Sequence, residues 1–223
     1  MIRGREVSRI EGFSDAVFGF TLTLLVVSAA VPENYADLRR IIIGFPAFAV
    51  TFAIICWIWY EHYLFFRRYA LEDGITIALN ALLLFVVVFY TYPMKFVFTR
   101  LIGNLFRTGP GIQSGMAGND GQMLMVLYSA GFVALFSVLS LLHWHALRRR
   151  EALALNAMDI YDAQANVTRH LINVGLGIVS IAIALFLPQL LAFAGLIYFL
   201  IGPLQGAFGY YNGRRRDRLE AAS

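Results

Sequence analysis

The sequence predicts an all-α, polytopic membrane protein with six transmembrane helices, and three observations predict it. The 223 residues are 59% hydrophobic and only 14% charged, with a mean hydropathy of +0.67. A single water-facing domain needs far more polar covering than that. Apolar stretches long enough to cross a bilayer, about 20 residues each, recur along the chain. Short charged or glycine-rich segments separate them, and the spans consume the length, so a single membrane domain covering 1–223 is expected.

The spans are expected at roughly 12–31, 41–66, 74–98, 122–147, 168–187 and 189–211. An even number puts both termini on one side. Arg3, Arg5, Arg9, Arg67, Arg68, Arg148, Arg149, Arg150, Arg169, Arg214, Arg215, Arg216 and Arg218 cluster on that side, against Arg39, Arg40, Lys95, Arg100 and Arg107 opposite. Cytoplasmic loops retain excess Lys and Arg, so cytoplasmic N and C termini follow, in a multi-pass protein of a prokaryotic plasma membrane. The net charge of +4 then points to anionic lipid headgroups rather than to nucleic acid, because the arginines flank hydrophobic ends. Trp57, Trp59, Tyr60, Tyr63, Tyr210 and Tyr211 are expected as interfacial rings. Cys56 is the one cysteine of the sequence, which excludes an intrachain disulfide. The apolar run ending at Ser28, Ala29 and Ala30 imitates a cleavable leader, but Glu6, Glu11 and Asp15 at its front argue against one.

The first span is unusual for a lipid-facing helix. Ser14 and Asp15 are expected to open it, and Thr21, Thr23 and Ser28 recur within a Phe, Leu and Val background. Polar groups in a membrane face protein or water. For Asp15 the residues leave two readings open: a cap at the helix start paired with Arg9, or contact with a permeating ion or proton. Positions 20, 23, 24 and 27 follow i, i+3, i+4, i+7 and share one helical face, either a packing stripe or the lining of a pore.

Arg9-Ile10-Glu11-Gly12-Phe13-Ser14-Asp15 resembles the RxxxFSD signature that opens the first helix of the transmembrane protein 175 potassium channel family. Trp59-Tyr60-Glu61-His62 is similar to that family's Trp-x-x-His, and Asn80 and Pro93 stand where its third helix commonly has Asn and Pro. The resemblance implies a bacterial-type potassium-selective or potassium-preferring cation channel: a homotetramer, with the first helix of each subunit lining a central pore that lacks a carbonyl filter. It further implies apolar constrictions seven, eleven and fourteen positions after the signature Phe, with a Thr ten after it. These are Phe20, Leu24, Val27 and Thr23, and Phe20 departs from the family's usual Ile. Rings of apolar side chains gate by dewetting and strip part of an ion's hydration shell. Arg9, Phe13, Ser14, Asp15, Trp59 and His62 are then expected as a structural network, with His62 packing against Trp59 and the Ser14, Asp15 end.

Other patterns carry less. His62, His143, His145 and His170 fall toward the cytoplasmic ends of spans, but His143 and His145 are two apart and point to different faces, so no helical metal pair is encoded. Gly103, Gly109, Pro110, Gly111, Gly115, Gly118 and Gly121 read as an extracytoplasmic loop without the Lys and Ser or Thr of a phosphate loop. Phe208-Gly209-Tyr210 reads as interfacial, and the acceptor pattern at Asn166 to Thr168 as cytoplasmic and unmodified. No nucleophile, base and orienting acid converge, so no catalytic residue, no enzyme activity, no metal and no cofactor is expected, with potassium only as permeant. The competing functions are a proton-coupled or small-solute transporter, using Asp15, Glu61 and His62, and a non-conducting scaffold.

Overall fold

The computed structural model describes residues 7–27, 31–106 and 119–220. Arg3, Arg5, Glu6, Ser28, Ala29, Ala30, Arg107 and the stretch from Gly109 to Gly118 lie outside them. Seven α-helices form six membrane-length spans: α1 (Arg9–Val27), α2 (Tyr35–Tyr69), α3 (Gly74–Phe106), α4 (Asp120–Arg148), α5 (Ala157–Phe186), α6 (Leu191–Leu196) and α7 (Ile201–Glu220). Short 3₁₀ turns at Pro188–Leu190 and Ile197–Leu200 join the last elements into one interrupted span. The start of α1, the end of α7, the α2–α3 turn and the α4–α5 connection share one end of the bundle.

Helix starts follow capping chemistry more closely than hydropathy. Ser8 and Glu11 exchange hydrogen bonds, Glu11 N to Ser8 Oγ at 3.2 Å and Ser8 N to Glu11 Oε2 at 2.9 Å, so α1 begins at Arg9 rather than near 12. Asn34 caps α2 by accepting from Asp37 N at 3.0 Å, which brings Arg39 and Arg40 inside the helix. Asn156 and Asp159 form a second capping box. α5 therefore starts at Ala157, not near 168, and Asn166, Thr168 and Arg169 are helical rather than part of a connection. Likewise Gly103 belongs to α3 and Gly121 to α4.

The last span is broken because its sequence resists a continuous helix. Pro188 stops α5, while Gly195, Gly202, Pro203, Gly206 and Gly209 lower helix propensity beyond it. Ser180 of α5 donates to the Ala194 carbonyl at 2.8 Å, satisfying a backbone group near the break. Phe208, Gly209 and Tyr210 lie on α7.

Helices α3, α4 and α5 form the tightest part of the bundle, with α1 and α2 packed on α3. Two glycines permit the close approaches. A Cβ on Gly131 would lie 2.3 Å from the Tyr90 ring, and one on Gly177 would lie 2.5 Å from Val133 Cγ2. Small residues at such crossings let helices associate in a solvent that supplies no hydrophobic drive.

Candidate functional site

Helix α1 has two faces. Ser14, Phe18, Thr21 and Leu25 are buried against the neighbouring helices, whereas Phe13, Phe20 and Val27 are 62%, 59% and 68% exposed. At 100° per residue, Thr23 stands directly opposite Ser14, and it too is exposed. Leu24 sits at the edge of the outward stripe, half-buried, beside a small hollow lined by Thr21, Leu25, Thr91 and Lys95.

A one-way chain of hydrogen bonds sets that rotation. Ser14 Oγ donates to the Ile10 carbonyl at 2.7 Å, and Asn80 Nδ2 of α3 donates to Ser14 Oγ at 2.9 Å. With its amide nitrogen committed, Asn80 presents Oδ1 to His62 Nε2 of α2 at 2.8 Å. His62 Nε2 is therefore the donor of this bond and carries a proton. Phe18 and Phe66 close over the His62 ring, with centroids at 5.6 and 4.7 Å. On the flank of α1, Trp59 Nε1 donates to Asp15 Oδ1 at 2.7 Å. Two residues of α2 and one of α3 thus hold α1 at two points, and turning it would strand buried polar groups.

The structure brings Ser14, Asp15, Trp59 and His62 together and adds Asn80 as their bridge. It corrects the cap reading of Asp15: the residue lies in the helix body, the N-terminal cap is Ser8 with Glu11, and the indole of Trp59 is its partner. Arg9 is exposed, and among the described residues no ion pair joins it to Asp15. Phe13 belongs to the outward face instead of the network. Trp57 is also corrected, since it faces the bundle interior, its ring tilted against Phe136 with centroids at 5.5 Å, and it donates to Glu61 Oε1 at 3.2 Å. Thr23 satisfies its own hydroxyl proton by donating to the Gly19 carbonyl at 2.9 Å. Its oxygen lone pairs consequently point outward as acceptors.

Two features escaped the sequence reading. Glu61 of α2 accepts a short charge-assisted bond from Arg169 of α5, and His170 Nε2 lies 4.0 Å from the same carboxylate. His143 and His170, on different helices, stack at 5.3 Å. Their only sequence signal is the presence of ionisable groups inside apolar spans. Lys95 of α3 also reaches α1, donating to the Leu25 carbonyl at 3.3 Å in the helix's last turn. Among the described residues no group of three or more His, Cys, Asp or Glu side chains is arranged to hold a metal ion.

Comparison with known proteins places the chain among potassium channels of one family. The family described as "Endosomal/lysosomal potassium channel TMEM175" matches residues 9–90, the stretch that builds α1, its clamp and the facing part of α3. A potassium channel of Marivirga tractuosa is 36% identical, over 97% of this chain and 92% of that protein. A potassium channel of Chamaesiphon minutus is 28% identical, over 88% and 94%. Among solved structures, a variant of the potassium channel MtTMEM175 bound to a nanobody–MBP fusion superposes with a TM-score of 0.85 at 35% identity, covering 96% of this chain and 97% of that one. On these grounds the chain belongs to the TMEM175 potassium channel family.

Proposed function

We infer that this protein conducts potassium passively through a central pore of four copies, with the outward stripe of α1 turned to the axis. The observation that carries the reading is the two-faced α1: one side is clamped to α2 and α3, while Phe20, Thr23 and Val27 are exposed among the described residues. Four-fold repetition turns such a stripe into rings. Phe20, Leu24 and Val27 supply apolar constrictions that exclude bulk water, and the Thr23 hydroxyls supply oxygen acceptors between them. Potassium holds its hydration shell less tightly than sodium, so partial dehydration costs it less and the pore favours it. Potassium is the permeant, and the site needs no cofactor.

The clamp is structural in this reading. Ser14, Asp15, Trp59, His62 and Asn80 hold the angle of α1, and Asp15 touches no permeating ion. The basic ends of the spans face the cytoplasm of a prokaryotic plasma membrane and its anionic headgroups, with both termini on that side.

The test is potassium and sodium flux through purified protein in liposomes under opposing gradients, with the subunit count measured by native mass spectrometry. Passive flux favouring potassium is expected, raised by Phe20→Ala and altered by Leu24→Ala. Saturating flux coupled to a proton gradient would replace the channel by a transporter. No flux from folded tetramers would leave a scaffold, and unchanged conductance in Phe20→Ala would remove Phe20 from the pore wall.

A further inference from the structure

Away from α1, a cleft of about 560 Å³ opens between α2, α3, α4 and the α6 segment. Its size is that of a small-molecule site, roughly 300–1,000 Å³. The wall is almost wholly apolar and aromatic, with Trp57, Tyr90, Phe132 and Tyr198 among its residues. Polarity enters at one end, where Arg100 and Asn104 stand one helical turn apart near the end of α3 and Gly121 opens α4. From there the cleft follows α4 to Phe136, about 22 Å at 1.5 Å per residue, and so reaches well inside the hydrocarbon core. Arg100 lines the cleft near this end, and its guanidinium lies over the Phe96 ring one turn back along α3, at 5.2 Å.

We propose that this cleft binds a phospholipid with an anionic headgroup, one acyl chain lying along α4 and the phosphate meeting Arg100 and Asn104. Three features agree on this occupant. The cleft carries charge where a headgroup lies and none where a chain lies, the same polarity gradient as a lipid molecule. Arg and Asn are donors suited to phosphate oxygens, and Arg pairs with them bidentately. An apolar cleft at this depth left without contacts would forfeit dispersion energy along its whole wall, which a flexible chain recovers. This site lies on the far end of the bundle from the basic span ends and requires nothing of the pore.

The test is native mass spectrometry of the full-length protein, reconstituted with phosphatidylglycerol or with phosphatidylcholine. The wild type should retain phosphatidylglycerol preferentially. Arg100→Gln should reduce that preference about fivefold, the worth of one interfacial cation, and Arg100→Lys should keep most of it. A Cβ on Gly195 meets nothing within 4 Å and points into lining space, so Gly195→Phe should fill the cleft and lower retention of both lipids. Equal retention by wild type and Arg100→Gln, or undiminished binding by Gly195→Phe, overturns the proposal. A drop in subunit count in Gly195→Phe with lipid retention unchanged assigns the cleft to a second copy of the chain and overturns it equally. Should Arg100→Gln fail to fold, the Arg100→Lys and Gly195→Phe measurements still decide.

Discussion

Two polar clusters are buried in this bundle, and they are built on opposite principles. Around α1, Ser14, Asn80 and His62 are 0%, 2% and 1% exposed, no ion pair joins them, and each is joined to the next by a hydrogen bond of 2.8 or 2.9 Å. Between α2 and α5, the cluster centres on a charged pair, Glu61 and Arg169, with Trp57 and Gln205 at its edges. There both His170 ring nitrogens, His143 Nδ1 and Arg169 Nε are buried without a hydrogen-bond partner among the described residues, against His62 Nδ1 alone in the first cluster. Short side chains demand close backbones and so fix a rotation. Long charged ones reach across helices whose backbones share little contact, and they fix connectivity while leaving more of the neighbouring polar atoms unserved. The first cluster orients a helix, whereas the second ties the α1–α3 half to the α5 half.

The difference predicts an order of effects. Glu61→Ala strands the Arg169 charge and should destabilise the fold by about 3 kcal/mol, read as a lowered unfolding temperature in detergent. Adding Arg169→Ala should recover part of that loss, and a double variant as unstable as the two single losses combined would show that the pair is not coupled. Asn80→Ala removes the bridge and should cost less, about 2 kcal/mol, because no charge is left unpaired. An equal or larger cost would erase the contrast between the clusters.

The third effect appears only as the pH falls and belongs to the α2–α3 turn. Asp73, in the α2–α3 turn, lies 2.8 Å from His145 Nε2 and 3.6 Å from Arg149 Nε, and accepts from Thr76 N at 2.9 Å. Burial would raise its carboxyl, but the hydrogen bonds from Thr76 and His145 and the nearby positive charge prevail and hold it at about 2. Because the folded value lies below the ordinary carboxylate value, this contribution to stability is complete above about pH 4. It is lost as pH falls through about 2. Asp73→Asn should remove that part of the pH dependence of unfolding and leave the rest of the curve in place.

Much of the architecture was legible because lipid makes hydropathy decisive. Charged and polar residues misled the span edges: Asp37, Arg39 and Arg40 in α2, and Asp162, Asn166 and Arg169 in α5, look like flanks, yet each follows an asparagine cap and continues a helix. Of the candidate site, the motif residues from Ser14 to His62 carried a readable resemblance. That resemblance grouped Asp15 with Trp59, but the bond from the indole to the carboxylate was not legible, because the two are forty-four residues apart in sequence. Nor did the stacking of His143 on His170, which depends on how α4 meets α5 at Gly177.

By itself, the sequence determined the number of membrane-length spans and the stripe at positions 20, 23, 24 and 27, since each follows from composition or the 3.6-residue period. Only the tertiary structure decided which way that stripe points. Helical periodicity defines a face relative to its own axis alone, whereas its absolute direction is set by the chain from His62 through Asn80 to Ser14, contributed by three helices.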